Sequence, residues 1–197
     1  ESRCVGAALC RSARVLLYLQ GGGACWDAAT CFALRSASHL EDTLDADTVL
    51  AEARSLDGYL TSRDPDVGPF ADANIVYVPY CTGDLHSGSN VQTYMTATGP
   101  RDVHHVGADN TDLILARLVA TVPSPSRVWL AGASAGGFGV ALNFWRARAA
   151  WPGRRVDVLD DSGPTIDQVP MYWTLALAAW DLQLPPGCDT CANGYSE

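Results

Sequence analysis

The sequence predicts an α/β fold: a single domain over residues 1–197, built on a mostly parallel sheet with flanking helices. Three observations lead there. Short apolar runs at 14–20, 74–79, 128–130 and 155–159 have the β-branched and aromatic character of strands buried on both faces. Segments with helical spacing alternate with them, at 45–56, 108–122, 140–149 and 171–180. Each strand-like run ends in a loop rich in Gly, Asp, Ser or Cys, and open parallel sheets bind ligands at the carboxyl ends of their strands.

Composition narrows the possibilities. With 48% hydrophobic and 18% charged residues over 197 positions, the chain is long enough for a proper core and is globular in character. No apolar run approaches the ~20 residues of a membrane span. The net charge of −9 argues against a nucleic-acid partner, since phosphate binding needs a basic face. All 13 cations are arginine, which excludes a lysine Schiff base, a P-loop lysine and a Ser-Lys dyad. The seven cysteines (Cys4, Cys10, Cys25, Cys31, Cys81, Cys188, Cys191) are dense for a reducing compartment, and the chain reads as secreted. Their spacings suit short loop staples. Cys188 and Cys191 have neither a second such pair nor a His pair after them, so no metal is expected; no cofactor is expected either. A thiol oxidoreductase is also disfavoured, because Pro185, Pro186 and Gly187 precede Cys188 where a helix N-terminus would be needed.

In chain order, the first strand runs into Gly21-Gly22-Gly23-Ala24-Cys25-Trp26. Glycines there let backbone amides approach a ligand closely, as one half of an oxyanion hole requires. Residues 40–72 read as surface, with one short acidic amphipathic helix and no chemistry. The strand at 74–79 leads into a loop with Asp84 and His86, which are candidates for the substrate side together with Trp26. His104 and His105 precede the helix at 108–122; adjacent residues cannot point both rings one way, so one is expected to be structural. Pro123 and Pro125 end that helix. The last strand closes in Asp160-Asp161-Ser162-Gly163. The apolar stripe at 171–180 is expected to be core rather than an acyl pocket.

The centre of the chain is Gly132-Ala-Ser-Ala-Gly136, with a strand before it and a helix after it. That context turns a common pentapeptide into a strained strand-to-helix turn that presents Ser134 as a nucleophile. The amide of Ala135 becomes an oxyanion donor.

Four ordered stretches together resemble the pectin acetylesterase/Notum family of secreted serine esterases. They are Leu19-Gln-Gly-Gly-Gly-Ala-Cys-Trp-Asp27 with Cys31, Val78-Pro-Tyr-Cys-Thr-Gly-Asp-Leu-His-Ser-Gly88, Gly132-Ala-Ser-Ala-Gly-Gly-Phe-Gly139 and Asp161-Ser-Gly163. The resemblance implies an α/β-hydrolase-type sheet, a Ser-His-Asp triad and hydrolysis of carboxylic esters: acetyl groups on pectin, or a lipid acyl group on a signalling protein. Carried over by position, Ser134 is the nucleophile, Gly22, Gly23 and Ala135 supply the oxyanion hole, Cys25 and Cys31 form the loop disulfide, and Cys4 or Cys10 pairs with Cys81.

One departure matters. In α/β-hydrolases the order is nucleophile, acid, then histidine, yet His39, His86, His104 and His105 all precede Ser134. The expectation is an N-terminal portion of the fold that carries nucleophile and oxyanion hole, with an open sheet edge and no acid–base half. Asp161 is the acid candidate in a shortened triad. Two functions follow: a carboxylesterase working through acyl-Ser134, or a catalytically inactive hydrolase-fold binding protein. The charge of −9 weighs against a polyanionic substrate such as demethylated pectin, leaving esters of neutral glycans or other acyl esters as partners.

Overall fold

The computed structural model describes residues 13–41, 44–55, 60–163 and 170–187, with the side chains of 170–173 also outside the description. Cys4, Cys10, Cys188 and Cys191 lie outside the described residues.

Four parallel strands form the main sheet in the order β2-β1-β5-β6: β1 (Arg14–Leu19), β2 (Asn74–Val78), β5 (Arg127–Ala133) and β6 (Val156–Asp161). β1 lies at the centre, and its alternation divides the core. Val15, Leu17 and Leu19 face α2 (Gly107–Thr121) and α3 (Ala135–Ala150), packing with Leu115, Val140, Ala147 and Trp151. Leu16 and Tyr18 face the other side, against Phe70, Ala73 and Trp129. Successive residues of a strand point to opposite faces, so a continuous apolar run is what a two-faced strand needs. The indole of Trp151 donates to the Val122 carbonyl at 3.0 Å and joins the carboxyl ends of α2 and α3. β6 is an edge strand among the described residues, with Val158 and Leu159 exposed.

The helix α1 (Ala46–Ser55) buries none of its residues, as its acidic surface pattern requires. An antiparallel hairpin, β3 (Asn90–Thr96) with β4 (Gly99–His105), was not among the expected elements. Its strands alternate half-exposed polar residues with single apolar ones, Tyr94 and Val103 being buried. It turns at Gly99, whose φ of +118° suits glycine. α3 starts at Ala135, five residues before helical spacing becomes visible at 140, because Gly136, Gly137 and Gly139 are weak helix formers held there by packing. α4 (Pro170–Trp180) presses Ala176, Ala179 and Trp180 onto Tyr80, Leu85 and Ala135, which makes Trp180 core as expected of that stripe.

Candidate active site

β5 ends at Ala133 and α3 begins at Ala135, which leaves Ser134 alone at the corner with φ +54° and ψ −122°. This is a costly conformation for a residue with a side chain, held by its surroundings. The Ser134 amide donates to the Asp161 carbonyl at 2.9 Å, and its carbonyl accepts the first helical bond from Phe138 at 3.1 Å. Glycine is required on both sides. A Cβ on Gly132 would stand 2.4 Å from the Gly136 carbonyl oxygen, and one on Gly136 would stand 2.1 Å from that of Leu19. Both are below any real contact, so the elbow closes only because these positions lack side chains. Ser134 is exposed while the residues around it, Gly132, Ala135 and Gly136, are buried. The amides of the first turn of α3 have no partner within their helix and point toward its N-terminal end. A carboxylate is close to that end: an Oδ1 of Asp160 lies 2.3 Å from where a Cβ on Gly137 would be.

The glycine loop lies against the elbow. A Cβ on Gly21 would be 2.5 Å from the Ala133 carbonyl oxygen and 3.3 Å from Ser134 Cβ. Gly22 and Gly23 have φ of +154° and +77°, backbone conformations that favour glycine at both positions. On their far side the amides of Ala24 and Cys25 are tied to Ser36 and Gly83 carbonyls at 3.1 and 2.9 Å. Among the described residues, the amides of Gly21, Gly22 and Gly23 donate to no backbone carbonyl. Beyond the loop, Cys25 and Cys31 form a disulfide around a π-helical turn at Ala29–Ala33. Trp26 is half-buried beside this loop, packed on the apolar group that contains Ala135 and Trp180.

The other candidates occupy different places. Asp84 is fully buried, and its carboxylate accepts from the Thr82 hydroxyl and from the amides of His86, Gly88 and Gly107. It clamps the loop after β2 to the start of α2. His86 is 2% exposed; its Nε2 donates to the Gln20 carbonyl at 2.8 Å and its ring packs on Tyr80. Burial pushes its pKa down, against the hydrogen bond to Gln20 and the Asp84 charge. Asp84 and His86, expected on the substrate side, are thus both buried and hydrogen-bonded to the surrounding loops, and an acidic side chain in a tight loop is a ready way to satisfy buried amides.

His105 is the structural member of its pair. It is buried, donates from Nδ1 to the Thr82 carbonyl at 2.7 Å and accepts the Tyr94 hydroxyl at Nε2 at 3.0 Å. Its neighbour His104 is exposed. His105 lies near the Cys25 and Cys31 sulfurs, but a disulfide offers no thiolate to a metal. Among the described residues Cys81 is a free thiol whose pKa is raised by burial and by Asp84; its expected partners, Cys4 and Cys10, are outside those residues.

Asp161 is exposed at the end of β6, level with Ala133. Its carboxylate accepts the Ser162 hydroxyl at 3.0 Å. Among the described residues no histidine is hydrogen-bonded to either Asp161 or Ser134. A feature absent from the sequence reading is Ser38, whose amide donates to the Gly22 carbonyl at 2.8 Å and whose hydroxyl crowds Gly22. Nothing in its local sequence distinguishes it.

Comparison with known proteins shows the family and the fold. The human palmitoleoyl-protein carboxylesterase Notum is 31% identical over 163 residues, covering 79% of this chain and 31% of its own length. The Drosophila melanogaster protein of the same name is 29% identical over 197 residues, covering 90% of this chain and 28% of its own. A solved structure of the Wnt deacylase Notum from Drosophila superposes with a TM-score of 0.66 at 25% identity, over 90% of this chain and 54% of that one. The chain thus spans about a third of the length of the curated relatives it matches and shares their α/β-hydrolase-type sheet. The pectinacetylesterase family profile matches residues 9–178, and the chain belongs to that family.

Proposed function

We propose that this chain carries the nucleophile and the oxyanion hole of a serine carboxylesterase. The observation that supports the reading most is the strained, exposed Ser134 between β5 and α3, with Gly21 packed against it. Ser134 Oγ attacks the ester carbonyl carbon and gives its proton to a general base. The carbonyl oxygen, now negative, is held by the amides of Gly22, Gly23 and Ala135. Collapse expels the alcohol, which takes up the proton, and leaves acyl-Ser134; water then attacks the acyl carbon and releases the acid. Asp161 is the acid candidate, next to the elbow on the neighbouring strand. The relatives are named for removing a palmitoleoyl group from protein, and the family for acetyl on pectin. For this chain the proposed substrate is a carboxylic ester of a neutral alcohol, since a charge of −9 repels a polyanion. The Cys25–Cys31 disulfide fits a protein that works in an oxidising compartment outside the cytosol.

A second reading rests on a specific observation. His39, His86 and His105 are hydrogen-bonded or ion-paired elsewhere, and His104 is exposed on the hairpin, so no histidine among the described residues is hydrogen-bonded to Ser134. An elbow without a base would bind esters without turning them over. Incubation with an aryl acetate followed by peptide mass mapping separates the two. Acetyl on the Ser134 peptide, absent in Ser134→Ala, supports the esterase; retained ester affinity with no acetylation supports the binder.

A further inference from the structure

Residues 36–39 form a strap along the glycine loop. The Ala24 amide donates to the Ser36 carbonyl at 3.1 Å, the Ser38 amide donates to the Gly22 carbonyl at 2.8 Å, and Gly23 bridges Ala37 between them. The Ser36 hydroxyl reaches the Ala24 carbonyl at 2.6 Å. Ser38 Oγ would lie 2.0 Å from a Cβ on Gly22, so the strap touches that glycine directly. The strap begins and ends in left-handed backbone, at Arg35 with φ +50° and His39 with φ +58°, a conformation that persists only where neighbours enforce it.

At the strap's end His39 Nε2 meets Glu52 Oε1 of α1 at 3.1 Å. The other oxygen of the same carboxylate accepts Gln20 Nε2 at 3.4 Å. Gln20 immediately precedes the glycines, and its orientation is fixed because its Oε1 accepts the Tyr80 amide at 2.8 Å. One carboxylate therefore ties the residue that enters the glycine loop to the strap that lies along it. Glu52 sits on a helix with no fully buried residue, so close packing of α1 alone does not explain the arrangement.

We propose that Glu52, acting through His39 and Gln20, is a positioning residue that holds the Gly22 and Gly23 amides in place for a developing oxyanion. The proposal rests on the reading of those amides as oxyanion donors. Oxyanion stabilisation depends on donors fixed before reaction, and a displacement of about 1 Å can cost on the order of a hundredfold. Glu52 touches no reacting atom.

The test uses the full chain with Glu52→Ala, His39→Ala and His39→Gln, the last keeping a nitrogen donor. Hydrogen exchange at Gly22–Ala24 is read beside the rate of Ser134 labelling by a fluorophosphonate, with thermal unfolding as control. The expected result is faster exchange in the loop and labelling slowed about tenfold or more in Glu52→Ala. His39→Gln should fall between wild type and His39→Ala, and the unfolding temperature should be nearly unchanged. Unchanged exchange in Glu52→Ala overturns the proposal, as does faster exchange with an unchanged labelling rate. If the wild-type chain is not labelled at all, the reading of Ser134 fails, and the exchange measurement alone decides the role of Glu52.

Discussion

Gly21 lies so close to Ser134 that a methyl group on it would be 3.3 Å from Ser134 Cβ and 2.5 Å from the Ala133 carbonyl oxygen. Ser134 and the glycine loop are therefore one packed unit. In Gly21→Ala the backbone of the elbow or of the loop must shift. The expected outcome is phosphonate labelling of Ser134 slowed about a hundredfold, with destabilisation of about 1–3 kcal/mol, measured by intact mass and by urea unfolding. Near-wild-type labelling would show that elbow and loop move independently.

Asp84 is predicted to matter for folding and not for chemistry. Its carboxylate serves four donors, whereas the amide of Asp84→Asn keeps one acceptor oxygen and adds two donors of its own. Stability should fall by about 1.5–3 kcal/mol, while the labelling rate of the folded fraction stays within about twofold of wild type. A labelling rate that collapses in fully folded protein would return Asp84 to the site.

The buried histidines set a pH dependence. Burial lowers the pKa of both His86 and His105, opposed by their hydrogen bonds to the Gln20 and Thr82 carbonyls. Below about pH 6.5 the unfolded chain takes up protons that the folded chain refuses, so stability falls as the pH drops. Above that value both states are neutral at these rings and the contribution is flat. The slope reaches at most about 1.4 kcal/mol per pH unit for each histidine, and urea titrations at pH 7.5 and 5.5 measure it. His105→Gln should remove its share of the slope whatever its effect on stability at pH 7.5.

Much of this was legible in the sequence. The four parallel strands, the four helices and the Ser134 elbow are all visible, because two-faced strands read as continuous apolar runs and the elbow needs glycine at fixed offsets. The β3–β4 hairpin is not, since Asn90, Gln92, Thr93 and Asp102 leave each strand half polar and it packs by little more than Tyr94 and Val103. Asp84 and His86 illustrate a second limit: a loop at the carboxyl end of a strand can aim its polar side chains inward. Sequence cannot show which way they turn. Ser38, His39 and Glu52 join the glycine loop only through tertiary contact, across 30 residues with no common pattern.

Acyl length follows from α4. The apolar space beside Ala135 is already filled by Ala176, Ala179 and Trp180, and the Trp180 indole is fixed by the Cys25 carbonyl at 2.7 Å. Acylation of Ser134 by aryl esters should fall from acetyl to octanoyl. A steady rise with chain length would mean that α4 yields to a lipid-sized acyl group.

The most direct measurement is intact-mass labelling of the chain with a fluorophosphonate, beside Ser134→Ala. An activated Ser134 predicts a single adduct that maps to Ser134 and is lost in the alanine variant. An adduct that survives the substitution, or none on a chain shown to be folded, would contradict it.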